Sequence, residues 1–341
     1  MNILSKIKKA GLIGRGGACF PTAKKWEAVE KAKREKKYIV CNAAEGEPGV
    51  EKDGYILEKF PERVIDGIKI ALDFLKAERA FIYINHKYYK KFFGNLTKLI
   101  GDYPIEFFIK PIDSGYIGGE ESSILNIIEG KRTEPRLRPP FPVFSGLWGY
   151  PTLINNVETF YNVSLVKSGE YKKNRFYTIK GDCLRNGVFC YPENWTIEKI
   201  LKETNNYPKF SFFVQIGGEA SGVILNSKQL KQPAGGAGSI TVYSEEKQKA
   251  ENLIGKWLDF FLNESCGKCT PCREGIYRLK EIVSSPSPDW HLFRELLDNL
   301  EETSFCGLGC AVPWPVKSYI NNVLGDKPEK IFKNLDRKLF V

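Results

Sequence analysis

Residues 61–85 read PERVIDGIKIALDFLKAERAFIYIN, a helix pattern that leads directly into a strand pattern. Pro61 suits the first turn of a helix, and apolar side chains then recur at the spacing of one helix face. They are Ile65, Ile68, Leu72 and Leu75. The run Ala80–Asn85 that follows is short, apolar and rich in β-branched and aromatic residues, as in a buried strand. A helix followed by a buried strand is typical of an α/β fold.

The same alternation extends in both directions from this stretch. Further strand-like runs lie at Tyr38–Cys41 and Ile105–Ile109, with helical patterns between them. Alternating strands and helices indicate a parallel sheet covered by helices. Residues 1–170 are therefore predicted to form an α/β domain.

Residues 171–244 show a different pattern of shorter strands. Asn186-Gly187 lies between two strand-like runs, as expected for a tight hairpin turn. A short helix at Thr196–Thr204 and strands at Phe212–Ile216 and Val223–Leu225 complete the pattern. We expect a small α+β domain whose strands are mainly antiparallel.

Residues 245–341 are predicted to form a helical bundle. One apolar stripe at helical spacing ends just before a run of cysteines. It consists of Ala250, Leu253, Ile254, Trp257, Leu258 and Phe261. A later helix repeats the pattern with Leu292, Leu296, Leu297 and Leu300.

Composition places the chain among ordinary globular proteins. Its 341 residues allow two or three domains at ~150 residues each, and 42% hydrophobic content argues against disorder. No apolar run approaches the roughly 20 residues of a membrane-spanning helix. The basic N-terminus is not followed by the apolar stretch of a secretory signal. We expect a cytoplasmic protein without direct membrane insertion.

The net charge of +10 could serve an acidic partner or nucleic acid, or be a solvated lysine surface. The basic residues concentrate in helical segments, where glutamates and aromatics interrupt them, so we favour the solvated surface. A nucleic-acid-binding protein with a structural metal is the alternative. The sequence lacks the paired zinc-knuckle spacing that such a protein would show, and we predict no nucleic-acid partner.

The cysteines carry the most specific chemical signal in the chain. There are nine of them, an odd number, and without a secretory signal a disulfide framework explains them poorly. Cys266, Cys269 and Cys272 form a Cys-x2-Cys-x2-Cys run, the ferredoxin-like spacing for a [4Fe–4S] cluster. Zinc, which usually binds separated cysteine pairs, is the alternative. Cys306 and Cys310 are both downstream candidates for the fourth ligand.

A glycine-rich loop and two acidic turns suggest a nucleotide site. The loop Gly14–Thr22 leads into a helix, where backbone N–H groups favour anions. The strand ending at Cys41 runs into Asn42–Gly49, and a second turn, Gly115–Glu121, ends in two glutamates. Ligands of open α/β sheets bind beyond the carboxyl ends of the strands, so acidic side chains in these turns are plausible acceptors for ribose hydroxyls.

These stretches carry a family resemblance that covers nearly the whole chain. The motifs are Gly14–Trp26, Asn42–Gly49, Tyr116–Arg132, Pro139–Pro142, Pro151–Thr159 and Glu264–Gly275. Together they resemble the FMN-containing, NADH-oxidising subunit of respiratory complex I, that is, the family of 51 kDa-type or F subunits. The same subunit type occurs in NAD-linked hydrogenases and formate dehydrogenases.

The resemblance implies a Rossmann-like FMN domain, a β-grasp domain of the soluble-ligand-binding type and a helical bundle with one [4Fe–4S] cluster. It also implies the site residues. FMN would be held by Gly14, Arg15, Gly16, Gly17, Lys25, Asn42, Gly119, Asn155 and Asn156. NADH would contact Phe20, Glu47, Tyr116, Glu120, Glu121 and Phe141. The cluster ligands would be Cys266, Cys269, Cys272 and Cys306.

The implied activity is an NADH dehydrogenase of the diaphorase type. Hydride passes from NADH to FMN, and electrons then pass singly to the cluster and to a partner. Acidic Glu120 and Glu121 would repel a 2′-phosphate and favour NADH over NADPH. The chain begins almost at the flavin loop, so we expect one subunit of a larger complex. Its implied partners are a thioredoxin-like [2Fe–2S] subunit and a hydrogenase, formate dehydrogenase or quinone-reducing module.

The sequence departs from the family pattern at several places, and the departure at Ala44 motivates an alternative function. Ala44 stands where the family usually has aspartate, within Asn42–Glu45. The spacing from Cys272 to Cys306 is shorter than usual, and Cys310 is an additional nearby thiol. The alternative is an iron–sulfur relay or scaffold subunit that has lost productive flavin or NAD binding.

Overall fold

The computed structural model describes residues 2–325. Its internal contacts divide the chain into two compact units. The first comprises the chain up to Gly46, Glu51–Phe176 and Cys190–Glu193, and the second comprises Glu47–Val50, Tyr177–Phe189 and the chain from Asn194. The predicted boundaries at 170 and 244 stay predictions. Residues 326–341 of the predicted helical bundle lie outside the described residues.

A four-stranded sheet is the centre of the first unit. Its strands are β1 (Tyr38–Ala43), β2 (Arg79–Ile84), β3 (Ile105–Ile109) and β4 (Thr152–Asn156). Their order is β3-β2-β1-β4, and all neighbouring strands pair in parallel. The parallel sheet and its first three strands are as the sequence predicted.

Seven helices accompany these strands within the described part of the first unit. They are α1 (Ile3–Ala10), α2 (Thr22–Lys31), α3 (Lys52–Lys59), α4 (Pro61–Leu75), α5 (His86–Ile100), α6 (Glu121–Ile128) and α7 (Val157–Ser168). The predicted apolar stripe of α4 is buried. Helix α4 packs closely on α7 at Gly67. A Cβ at this position would lie only 2.0 Å from the Phe160 carbonyl oxygen, so the close packing requires glycine.

The central strand β1 is buried on both faces. Tyr38, Ile39, Val40 and Cys41 are all buried in β1, the pattern of a parallel sheet that helices cover on both sides. On one face, Val40 packs in a core cluster that also contains Ile124 of α6. Since β1 has β2 on one side and β4 on the other, the strand order reverses between β1 and β4. Such a reversal point is where open α/β sheets bind ligands.

After α7 the chain forms a five-stranded mixed sheet with one short helix. The elements are β5 (Asn174–Gly181), β6 (Gly187–Pro192), α8 (Ile197–Glu203), β7 (Phe212–Ile216), β8 (Val223–Asn226) and β9 (Ser239–Ser244). The strand order is β6-β5-β9-β7-β8. Strand β7 is antiparallel to β8 and β9, as expected, but β5 and β9 are parallel. The antiparallel prediction was wrong for that pair because a long connection, not a hairpin, brings β9 beside β5.

The C-terminal part of the second unit is helical, as predicted. Its helices are α9 (Ala250–Glu264), α10 (Thr270–Ser284), α11 (Trp290–Thr303), α12 (Gly307–Ala311) and α13 (Pro313–Tyr319). The predicted stripe of α9 is buried. In α11 the buried side chains are Trp290, Phe293, Leu297 and Leu300, whereas Leu292 is 38% exposed, so the predicted face was partly wrong. Within residues 2–325, no helix combines the length and apolarity needed to span a membrane.

Candidate functional site

The ends of β1 and β4 bring together residues that the sequence placed in one site. Asn42 and Asn156 are opposite each other in the parallel register. The Asn42 side chain donates to the Gly119 carbonyl oxygen at 3.0 Å and accepts from the Ala44 N–H at 3.1 Å. These contacts fix the amide of Asn42 and tie the second acidic turn to the end of β1.

The glycine-rich loop passes over the same strand ends. A Cβ on Gly16 would lie 3.4 Å from the Asn156 Cβ, and one on Gly119 would lie 3.5 Å from the Ala44 Cβ. At both places the missing side chain lets the loop backbone pack closely on the residues at the strand ends. The loop itself is closed by a hydrogen bond from the Gly14 N–H to the Phe20 carbonyl oxygen at 2.8 Å. This backbone cradle fits a phosphate-bearing planar cofactor such as FMN.

Arg15 is placed differently from the other loop residues. Its guanidinium is buried, pairs with Glu193 at 2.6 Å and donates to the Tyr171 hydroxyl at 3.2 Å. Its backbone N–H donates to Thr159 Oγ1 at 3.0 Å. Burial alone would lower the pKa of Arg15, but nearby Glu158, Tyr171 and Glu193 outweigh it and raise the pKa. Arg15 thus anchors the loop, and its contact with FMN stays a prediction.

Lys25 and Glu121, predicted for FMN and NADH respectively, form an ion pair with each other. Lys25 also donates to the Ile154 carbonyl oxygen of β4 at 3.3 Å. Next to it on α2, the Trp26 indole donates to the Asn155 side chain at 3.2 Å. Lys25 therefore provides a positive charge near the end of β4, and Asn155 is held in the protein interior.

Glu120 serves as the N-cap of α6. Its carboxylate accepts from the N–H groups of Ser122 and Ser123, each at 2.9 Å, and pairs with Arg138. A carboxylate at this position satisfies the first turn of the helix. Glu120 is thus committed to local structure, and its role toward NADH stays a prediction.

Three predicted NADH residues carry aromatic rings. Phe20 is 47% exposed and Phe141 is 49% exposed, so both could stack on a planar ligand. Tyr116 is half-buried, and its ring lies 3.6 Å from the position of a Cβ on Gly46.

Glu47 belongs to the second unit by its contacts. Its carboxylate accepts from the Ala220 N–H at 3.2 Å, the Ser221 N–H at 3.1 Å and the Ser221 hydroxyl at 3.0 Å. Gly218 permits this arrangement, since a Cβ there would lie 1.9 Å from a Glu47 carboxylate oxygen. The structure does not group Glu47 with the strand-end residues of the first unit, and its role toward NADH stays a prediction.

A buried charge network lies behind Asn156, and sequence reasoning missed it. The Lys52 ammonium contacts Asp53 at 2.6 Å, Asn156 at 3.0 Å and Glu158 at 3.2 Å, and all three charged side chains are almost fully buried. Asn156 also caps α7 by accepting from the Glu158 N–H at 3.0 Å. The sequence feature that could have indicated this network is the presence of acidic residues in the first turns of α3 and α7.

Glu45 extends this network from the end of β1. Its carboxylate accepts from the N–H groups of Asp53 at 2.7 Å and Gly54 at 3.0 Å, and from the Tyr88 hydroxyl. Burial, and then the charge of Asp53, raises the pKa of Glu45 to about 7. Burial also raises the pKa of Asp53. For Lys52, burial lowers the pKa but the surrounding carboxylates outweigh it, so its pKa is raised.

The cysteine site lies in the second unit, where α9 gives way to α10. Gly267 turns the chain with φ of +72°, and its N–H donates to Ser265 Oγ at 3.3 Å. The Arg273 side chain donates back to the Gly267 carbonyl oxygen at 2.8 Å. Cys269 caps α10 and Cys272 lies in its first turn, where the positive end of the helix dipole favours thiolates.

Cys272 is the buried member of the thiol group. Its pKa is raised to about 12, mainly by burial, because burial and the nearby thiols of Cys269, Cys306 and Cys266 together outweigh the lowering by Ser265. Cys269 and Cys272 lie at the start of α10, and Gly309 of α12, the helix that follows Cys306, approaches the Cys272 Cβ, so these elements bring the predicted ligands into one neighbourhood. Four cysteine thiols are the donor set of a [4Fe–4S] cluster. Within residues 2–325, no three His, Cys, Asp or Glu side chains are arranged to hold a single metal ion.

Comparison with known families matches both sites. Residues 7–165 match the Nuo51 FMN-binding domain, and residues 252–324 match the iron–sulfur binding region of NADH-ubiquinone oxidoreductase F. These regions contain the strand-end site and the cysteine site, respectively. They confirm the prediction of FMN and a [4Fe–4S] cluster as cofactors.

Individual relatives agree over most of the chain. The NADH-quinone oxidoreductase F subunit of Aquifex aeolicus is 33% identical over 90% of this chain and 80% of its own length. The corresponding F subunit of Streptomyces coelicolor is 30% identical over 93% of this chain and 80% of its own length. Among solved structures, an NAD+-reducing [NiFe]-hydrogenase in the H2-reduced state matches with a TM-score of 0.89 and 28% identity over 98% of this chain. This chain spans 63% of that hydrogenase chain.

The fold and its two sites define a flavin- and iron–sulfur-binding oxidoreductase subunit. The chain belongs to the family of NADH-quinone oxidoreductase F subunits. The resemblance seen in the sequence motifs is thereby confirmed. So is the predicted α/β class, with its parallel sheet, mixed sheet and helical C-terminal region.

Proposed function

We propose that this chain oxidises NADH at bound FMN and passes electrons through its [4Fe–4S] cluster to a partner redox protein. The observation that carries the proposal is the cradle at the strand-order reversal, where Asn42, Asn156 and Gly16 meet. This cradle lies in the region that matches the FMN-binding domain, and the same chain carries the cluster region. The relatives' names, which make each of them an NADH-quinone oxidoreductase subunit, support the same activity.

The residues of the cradle position the cofactor rather than react with it. Asn42 is held by Gly119 and Ala44, so its amide is fixed before the ligand arrives. The backbone at Gly16 and Gly119 packs closely on the strand-end residues, and Lys25 provides the nearby positive charge. Bound FMN would supply hydride acceptance from NADH and release of electrons one at a time.

On the nicotinamide side, the exposed rings of Phe20 and Phe141 provide stacking surfaces. Hydride transfer needs close contact between two stacked rings, so orientation is the main contribution of these side chains. Glu121 is the acidic residue that we assign to the ribose hydroxyls. Its ion pair with Lys25 would hold the carboxylate in a fixed orientation.

The expected partner is a thioredoxin-like [2Fe–2S] subunit, with a further redox module behind it. That module would be a hydrogenase, a formate dehydrogenase or a quinone-reducing arm. The structural match to an NAD+-reducing hydrogenase supports the first of these. A cytoplasmic location stays a prediction.

The test is an absorption spectrum of anaerobically purified protein before and after NADH is added. We expect flavin bands that bleach with NADH, together with partial loss of the broad iron–sulfur absorption. Gly16→Val is the matched variant, because branched carbons beyond a Cβ already 3.4 Å from the Asn156 Cβ would fill the cradle. It should lose at least ~90% of its flavin, which from near-full occupancy needs a roughly hundredfold weaker affinity. Gly94→Ala, where a Cβ meets nothing within 4 Å, is the control and should keep its flavin.

An iron–sulfur spectrum without flavin bands, unchanged by NADH, would instead support the relay or scaffold function. Ala44 would then be the first residue to restore to aspartate. Ala44 is buried beside Gly119, so the Ala44→Asp variant would also report whether this packed position admits a carboxylate.

A further inference from the structure

A fifth cysteine lies beside the proposed cluster ligands. Cys310 belongs to α12, the short helix that Cys306 caps, and its backbone N–H donates to the Cys306 carbonyl oxygen at 3.3 Å. The two residues are therefore one helical turn apart. Cys306 precedes the first residue of α12 and Cys310 lies within α12, so both cysteines belong to the same short segment.

The chain around α12 approaches the cysteine run closely. A Cβ on Gly309 would lie 3.3 Å from the Cys272 Cβ and 2.4 Å from Ser304 Oγ. Only glycine permits this approach without displacing its neighbours. Gly309 thus brings α12, which also carries Cys310, against the buried ligand Cys272.

The Cys310 thiol itself is turned back toward the chain that leads into Cys306. Its Sγ donates to the Ser304 carbonyl oxygen at 3.6 Å, a long and weak bond. Cys310 is half-buried. Because this hydrogen bond is weak, the Cys310 thiol would lose little stabilisation if it left the Ser304 carbonyl oxygen to bind a metal.

We propose that Cys310 is a reserve ligand of the [4Fe–4S] cluster, able to bind the iron otherwise held by Cys306. In the exchange, the Cys310 thiol loses a proton and its sulfur binds the iron, while the Cys306 sulfur leaves the iron and takes up a proton. No electron is transferred. The inference rests on the cluster of the proposed function and adds to it a second anchoring thiol on α12.

The test compares Cys306→Ala, Cys310→Ala and the double variant, each made in the full chain and purified without oxygen. Iron and sulfide content and the electron paramagnetic resonance spectrum of the reduced cluster are measured. Cys310→Ala should keep a full cluster with an unchanged spectrum. Cys306→Ala should keep most of the cluster with a shifted spectrum, whereas the double variant should lose it almost completely. Cys183→Ala is the control, because its thiol contacts the Asn186 side chain at 3.1 Å.

Equal loss of iron in Cys306→Ala and the double variant would overturn the proposal. If Cys306→Ala does not fold, the rate at which iron is released to a chelator is compared between the wild type and Cys310→Ala instead. We expect release several-fold faster in Cys310→Ala, and equal rates would overturn the reserve role. If the wild-type protein contains no cluster, the proposed function is overturned as well. If the wild type contains the cluster but Cys310 does not replace Cys306 as an iron ligand, only this inference is overturned.

Discussion

The strand-end site and the cysteine site assemble their groups in opposite ways. Asn42 and Asn156 lie 114 residues apart in the chain and meet because β1 and β4 are neighbours in register. Three of the cluster thiols instead come from one short run, Cys266–Cys272, and the fourth comes from Cys306 at the start of α12. The first site depends on the whole topology of its unit, whereas the second depends mainly on local turns.

The two sites also differ in what holds them before any cofactor binds. Around the strand ends, Asn42, Lys52 and Asn156 already have protein partners, so the site is pre-organised by its own hydrogen bonds. At the cysteine site, burial raises the pKa of Cys272, and iron is needed to stabilise the thiolates. Cofactor loss should therefore disturb the cysteine site far more than the flavin site.

The largest effect is expected for Cys272→Ala. Cys272 is the buried member of the predicted ligand set and lies in the first turn of α10, so its loss should abolish cluster assembly. Flavin content should stay near the wild-type value, because the strand-end site lies in the other compact unit. Iron, sulfide and flavin are measured on the same sample. Parallel loss of flavin and iron would contradict the view that the two sites assemble independently.

Lys52→Met should cause the next largest effect. It leaves the buried carboxylates of Asp53 and Glu158 without their cation, which typically costs about 3–5 kcal/mol of the free energy of unfolding. Urea unfolding followed by circular dichroism measures this change. Lys91→Met is the matched control, since its ion pair with Glu58 is exposed to solvent and should contribute little to the free energy of unfolding. If both variants lose a similar free energy of unfolding, the buried network contributes no more to stability than an exposed ion pair does.

Glu45 makes the strand-end network sensitive to pH. Its pKa is about 7 in the folded protein against an ordinary value of 4.5, so the folded protein holds this proton where the unfolded chain releases it. The free energy of unfolding should therefore fall as pH rises from about 4.5 to about 7, and this contribution should then level off. Urea unfolding at several pH values should show a shallower fall for Glu45→Gln. An identical slope in wild type and variant would assign the pH dependence to other groups, such as Asp53.

What the sequence could predict follows the same division between local and long-range structure. The strands β1 to β3, the buried stripe of α4 and the cysteine run are local patterns, and the structure contains each of them. The parallel pairing of β5 with β9 depends on a long connection and was missed. In α11, leucine spacing suggested a face containing Leu292, but Trp290 and Phe293 compete for the core and the helix turns accordingly.

The site shows the same limit. Proximity of Gly16, Asn42, Gly119 and Asn156 could be inferred from motifs, because strand ends and glycine loops are recognisable. The ion pair of Lys25 with Glu121 and the bonds of Glu47 to Ser221 could not, since they depend on which elements become neighbours. The Lys52 network was unexpected for a physical reason: charged side chains are rarely buried unless they are paired, and pairing is not visible in a sequence.

The smallest effect is expected for Glu121→Ala, and it separates two roles of one carboxylate. If Glu121 binds the ribose hydroxyls of NADH, its removal should lessen repulsion of a 2′-phosphate and also free Lys25 to attract one. The preference for NADH over NADPH, measured as the ratio of kcat/KM values, should then fall several-fold. Glu27→Ala is the matched control, because Glu27 lies on α2 with Lys25 but pairs with the exposed Lys31. An unchanged preference together with weaker flavin retention would show that Glu121 acts only by orienting Lys25, which would tie this residue to the pre-organised flavin cradle rather than to the nicotinamide nucleotide.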